Sequence, residues 1–167
     1  MLYALRTLRL LIVATALLAA AAAIAVEPPP EGHGPILGIY TTGAFGPDTE
    51  NHVMADVGET VTLHFVLSYA PWAFLGGVEF TVATDPPGAF GSQLMIGDAE
   101  LPYDGLQITP APDYVIGYGL PNHSTTGHHW VLSQELTVMA DTPILLSLQP
   151  YQSPTLPGEM ACAYWIN

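Results

Sequence analysis

The chain has 167 residues, half of them hydrophobic, with fifteen Asp and Glu against two Lys and Arg. Both basic residues, Arg6 and Arg9, fall in the first ten positions, and nothing after them carries a Lys or Arg side chain. Nucleic acid is thereby excluded as a partner, because phosphate contacts require cations, and so is docking on an anionic membrane surface.

The N-terminus comes first in chain order. Arg6 and Arg9 form a short basic region, residues 10–22 are apolar apart from Thr15, and Ala23-Ile24-Ala25 is a small-x-small triplet. Those three parts predict a helical secretory signal peptide over residues 1–25, cleaved before Val26. The apolar run is shorter than the roughly 20 residues that a spanning helix needs. Glu27 and three prolines then stop any helix. The expected location is secreted, extracellular or periplasmic, with no membrane contact after cleavage. Residues 26–35 read as a Pro/Gly-rich lead-in and 36–167 as one domain. Cys162 is the only cysteine, so no internal disulfide can form.

Nine short strands are predicted after the lead-in. Residues 36–41 are β-branched and aromatic, and 52–55 could pair at an edge. After the turn Val57-Gly58-Glu59, residues 60–68 alternate, with Val61, Leu63, Phe65 and Leu67 on one face. Residues 74–84 alternate again through Val78, Phe80 and Val82 until Asp85-Pro86-Pro87-Gly88 ends the strand. Residues 93–96 are a short apolar strand, and 97–112 read as an acidic loop. Strands follow over 114–118, 130–140, 143–149 and 160–166, with a polar loop over 121–128. No amphipathic helix interrupts the series. Such spacing predicts an all-β fold, an antiparallel β-sandwich.

Three segments together resemble the cohesin-like family. They are Asp56-Val57-Gly58-Glu59-Thr60-Val61-Thr62-Leu63, the stretch Gly76-Gly77-Val78-Glu79-Phe80 running on to Asp85-Pro86, and Leu132-Ser133-Gln134-Glu135-Leu136-Thr137-Val138-Met139 followed by Ile144-Leu145-Leu146-Ser147-Leu148. The resemblance spans about residues 36–165. It implies a nine-strand sandwich of jelly-roll topology, related to several carbohydrate-binding modules. It also implies an extracellular protein partner bound on a sheet face. The chain departs from the family setting in having no repeated copies and no dockerin-like calcium loop.

Candidate binding residues are the aromatics Trp72, Phe74, Tyr103 and Trp130, since flat rings stack on sugars and anchor protein interfaces. Tyr114 and Tyr118 flank the same region, and Trp130 and Tyr118 could equally pack in the core. His123, His128 and His129 lie within one loop and could hold Zn²⁺ with Asp113 or Glu135. As neighbours on a strand, however, His128 and His129 point to opposite faces. Asp98, Glu100 and Asp104 could offer oxygens to Ca²⁺, although their spacing fits no calcium loop and a solvated acidic loop is the plainer reading. Asn122-His123-Ser124 fits a glycosylation acceptor pattern. No serine has nucleophile-elbow glycines around it, and Cys162 has no neighbouring base or cation. The expected function is a non-catalytic interaction or structural module binding an extracellular protein. The alternatives are a polysaccharide-binding module using surface aromatics, or a divalent-cation binder.

Overall fold

The computed structural model describes residues 34–41, 52–70 and 74–152. Among them there is no helix, and so none long and apolar enough to cross a membrane. Eight strands form: β1 (Ile36–Tyr40), β2 (Thr60–Ser68), β3 (Phe74–Asp85), β4 (Leu94–Glu100), β5 (Gly105–Gln107), β6 (Asp113–His123), β7 (His129–Val138) and β8 (Leu145–Gln149). They make two four-stranded sheets, ordered β1-β2-β7-β4 and β5-β6-β3-β8. All the strand pairs are antiparallel.

The period-two pattern decides which face is buried. Leu63, Phe65 and Leu67 of β2 meet Val78, Phe80 and Val82 of β3 in one apolar core shared by both sheets. Rings from the two sheets touch there. Phe65 lies 5.3 Å from Phe80 and 5.7 Å from Tyr114, and Phe80 stacks on Tyr114 at 4.8 Å. The sheets therefore pack face to face across a single core, a sandwich-like arrangement. Gly58 makes the turn into β2 in the left-handed region, at φ 92, and its N–H donates to the Val138 carbonyl at 2.8 Å. A side chain there would strain the turn that ties the start of β2 to the end of β7.

Several expectations need correction. Residues 52–55 form no strand. The acidic stretch 97–112 is not one loop, because β4 runs on through Asp98 to Glu100 and β5 follows. β4 lies at a sheet edge and shifts register between Ile96 and Ala99, leaving Gly97 and Asp98 as a bulge. Edge strands tolerate charges that central strands do not, which is why composition misread this stretch. The polar loop starts later than expected, since β6 continues to His123. The strand expected at 160–166 lies outside the described residues, as do the signal peptide and Cys162.

A polar link crosses the core. Gln134 of β7 is 2% exposed. Its Nε2 donates to the carbonyls of Gly97 and Asp98 at 2.9 and 3.1 Å, and its Oε1 accepts from the Tyr114 hydroxyl at 3.2 Å. The bulge carbonyls are thus satisfied from inside, and a buried amide meets its own hydrogen-bonding needs in return.

Candidate functional site

The pairings of β6 assemble an exposed apolar surface on the second sheet. Phe74 at the start of β3 lies opposite His123 at the end of β6, with ring centroids 5.0 Å apart and planes tilted by 50°. Tyr103 reaches the same place from the β4–β5 turn, its hydroxyl donating to the His123 carbonyl at 3.1 Å. Three residues singled out in the sequence, Phe74 and Tyr103 as aromatic binding candidates and His123 as a metal-ligand candidate, thus come together.

The turn that delivers Tyr103 is tightly built. Tyr103 and Asp104 both adopt left-handed backbone, at φ 53 and 52, and Gly105 N–H donates to the Pro102 carbonyl at 2.9 Å. A Cβ on Gly105 would sit 2.9 Å from the Leu101 Cβ, so glycine is required by the close approach. Two consecutive non-glycine residues in this region are uncommon and cost on the order of 1 kcal/mol or more each. They persist because β5 pairs immediately afterwards.

β5 then places its side chains. Leu106 pairs with Gly117, which pairs in turn with Gly77. A Cβ added at Gly117 would meet nothing within 4 Å, so Leu106 stands beside a shallow trough. Ile108 follows just past the end of β5, anchored by its N–H to the Val115 carbonyl at 2.8 Å. Leu106 and Ile108 are each 67% exposed and Phe74 is 61% exposed, with Leu120 and Tyr103 exposed as well. Asp104, Asp98 and Glu100 are exposed too. The sequence reading missed Leu106 and Ile108. Their i, i+2 spacing was the available signal, hidden by the flanking Pro, Gly and Asp.

The other candidates lie elsewhere. Trp72 is outside the described residues. Trp130 sits half-buried on β7 in the opposite sheet. Its Nε1 donates to Ser133 Oγ at 3.0 Å, and His64 Nδ1 lies 2.8 Å from that same hydroxyl. His128 packs edge-on to Tyr69 at 5.7 Å, with its Nδ1 buried and unpartnered. His129 is 1% exposed, with its Nδ1 3.4 Å from Asn122 Oδ1. Asp98 belongs to the β4 bulge and Asp104 to the β4–β5 turn. Among the described residues no three His, Cys, Asp or Glu side chains gather where one ion could be held.

Asn122 is not an accessible glycan acceptor in the fold. It is 1% exposed, and its Nδ2 donates to the Trp130 carbonyl at 2.6 Å. Asn122→Ala would leave that carbonyl without this donor and remove a partner from buried His129, at an expected cost of about 2–3 kcal/mol. Urea denaturation at neutral pH measures this, and a midpoint equal to wild type would show the contact to be dispensable.

The clustered groups offer a π face, aliphatic knobs and an acidic surround, which suits contact with another molecule. Comparison with family models, with curated proteins and with solved structures finds no match for this chain.

Proposed function

We propose that the chain is a secreted, non-catalytic interaction module of the cohesin-like kind, binding a protein partner through the exposed apolar residues at the β5 edge and the β3–β6 end of the β5-β6-β3-β8 sheet. The observation that carries this reading is the apolar surface of Leu106, Ile108, Phe74, Tyr103 and Leu120. They fall in two groups on one sheet, Leu106 and Ile108 at β5 and Phe74 with Tyr103 at the end of β6, and grouped exposed apolar side chains mark interaction sites more often than isolated ones do. One further feature supports the relationship. β2, β7 and β4 adjoin in one sheet while β8, β3 and β6 adjoin in the other, an interleaving in keeping with a jelly roll. A ninth strand and the signal peptide over residues 1–25 complete the proposed architecture.

The chemistry of the surface favours a protein over a polysaccharide. Sugars stack on flat, coplanar rings, whereas here Phe74 and His123 are tilted and the most exposed strand residues are branched aliphatics. The acids around the patch and the absence of Lys and Arg beyond Arg9 call for a partner with a basic rim. Carbohydrate binding remains the second reading, on the strength of Phe74 and Tyr103.

The test is affinity capture from the secreted fraction of the native host, using wild type beside a Leu106→Glu/Ile108→Glu variant, with a glycan array run in parallel. Wild type is expected to retain a protein that the variant loses by at least about tenfold, since buried interface anchors typically contribute 1–2 kcal/mol or more each. Both positions are exposed, so the variant's melting temperature is expected to stay close to wild type. Equal capture by both proteins would refute the site. Glycan binding that depends on Phe74 would favour the second reading.

A further inference from the structure

A cleft of ≈ 630 Å³ opens at the end of the fold opposite the β4–β5 turn, between the sheet carrying β2, β7 and β4 and strand β8. Its floor is core surface, with Leu63, Leu94 and Leu136 from the first sheet and Leu146 from the second. Its rim is polar and carries Asp56, Glu59 and Asp141. His52 is the only basic side chain among the described residues that line it. The rim is fixed to the fold. Val138 N–H donates to the Glu59 carbonyl at 2.9 Å, and the Glu59 carboxylate accepts the Asp56 N–H at 3.0 Å.

The volume is that of a small-molecule site, where an apolar interior supplies attraction and a few polar groups fix orientation. Charge decides the class of ligand. An anionic head would sit among three carboxylates with no Lys or Arg to offset them, whereas a cationic head would complement them. We propose that this cleft binds a small amphipathic cation, its aliphatic or aromatic body on the leucine floor and its ammonium group turned toward the rim, in the summed field of Asp56, Glu59 and Asp141 rather than in contact with all three. The site is separate from the apolar surface of β5 and does not depend on any partner there.

Isothermal titration of the full chain with octylamine, 1-octanol and octanoate tests the proposal. Octylamine is expected to bind one to one and about tenfold more tightly than 1-octanol, the modest gain of a cation in the partly screened field of an acidic rim. Octanoate is expected to bind most weakly. In an Asp56→Asn/Glu59→Gln/Asp141→Asn variant the amine should lose its advantage while 1-octanol binds as before, which also reports an intact floor. Ala140→Trp, which keeps every carboxylate but obstructs the cleft, should abolish binding of both. The Leu106→Glu/Ile108→Glu variant should bind octylamine like wild type. Equal affinity for amine and alcohol, unchanged octylamine binding by Ala140→Trp, or no heat from either ligand would each overturn the proposal.

Discussion

Above pH 10 the fold is expected to lose about 2.7 kcal/mol of stability per pH unit, and a Tyr114→Phe/Tyr118→Phe variant is expected to lose most of that slope. Both phenols are buried, at 3% and 9% exposed. Burial pushes both well above the usual phenol range, and a hydrogen bond with Asn122 only partly offsets this at Tyr118. Each hydroxyl is also a donor, Tyr114 to Gln134 Oε1 and Tyr118 to the Val131 carbonyl at 2.9 Å, a role that a phenolate cannot fill. The sign follows from linkage. In the unfolded chain these tyrosines ionise near pH 10, while in the fold they stay protonated to a higher pH. The contribution is therefore complete below pH 10 and is lost as pH rises toward the folded value. Two groups at about 1.4 kcal/mol per unit give the slope. Lysine titration cannot confuse the result, because the chain has no Lys. Urea midpoints measured between pH 9 and 12 decide it, and parallel profiles for wild type and the double variant would sink the idea.

Phe80→Ala is expected to cost about 3–5 kcal/mol, a large part of the 5–15 kcal/mol that holds an ordinary domain together. Phe80 is fully buried between Phe65 of the facing sheet and Tyr114 of the neighbouring strand. Removing the ring deletes the transfer free energy of its carbons and leaves a cavity whose walls, on two hydrogen-bonded sheets, cannot collapse far. It also breaks two ring contacts of roughly 0.5–1.5 kcal/mol each beyond burial. Phe74→Ala, at the exposed end of the same strand, is expected to stay within about 0.5 kcal/mol of wild type. Equilibrium urea unfolding of the two variants side by side provides the comparison. Similar costs at both positions would mean that the core is not where the ring contacts place it.

The central strands were legible because one period governs them. β2 runs over the residues that alternation marked, and Val78, Phe80 and Val82 face inward as their spacing required. The edges were not legible. β4 and β5 carry Gly, Asp and Glu, which read as loop, yet a strand with one neighbour and an exposed side needs little apolar pattern. The buried polar residues were equally opaque. Asn122 and Gln134 look like surface residues in the sequence, and only the strand register brings their partners within reach. For the candidate site, Phe74, Tyr103 and His123 were visible as residue types. Their meeting depends on the length of β6 and on a left-handed turn, neither of which composition encodes.

The Gln134-capped bulge in β4 bears on how the protein behaves when crowded. A straight border strand offers evenly spaced donors and acceptors on which a second chain can zip. Here the spacing is broken between Ile96 and Ala99, and the two displaced carbonyls are bound from inside by a side chain that cannot leave the core without breaking its link to Tyr114. Asp98 and Glu100 add a strip of like charge to the same border. An incoming strand would meet mismatched hydrogen bonds and electrostatic repulsion together. One side of the described fold is thereby protected from templated growth into fibres by the strand's own irregularity and charge.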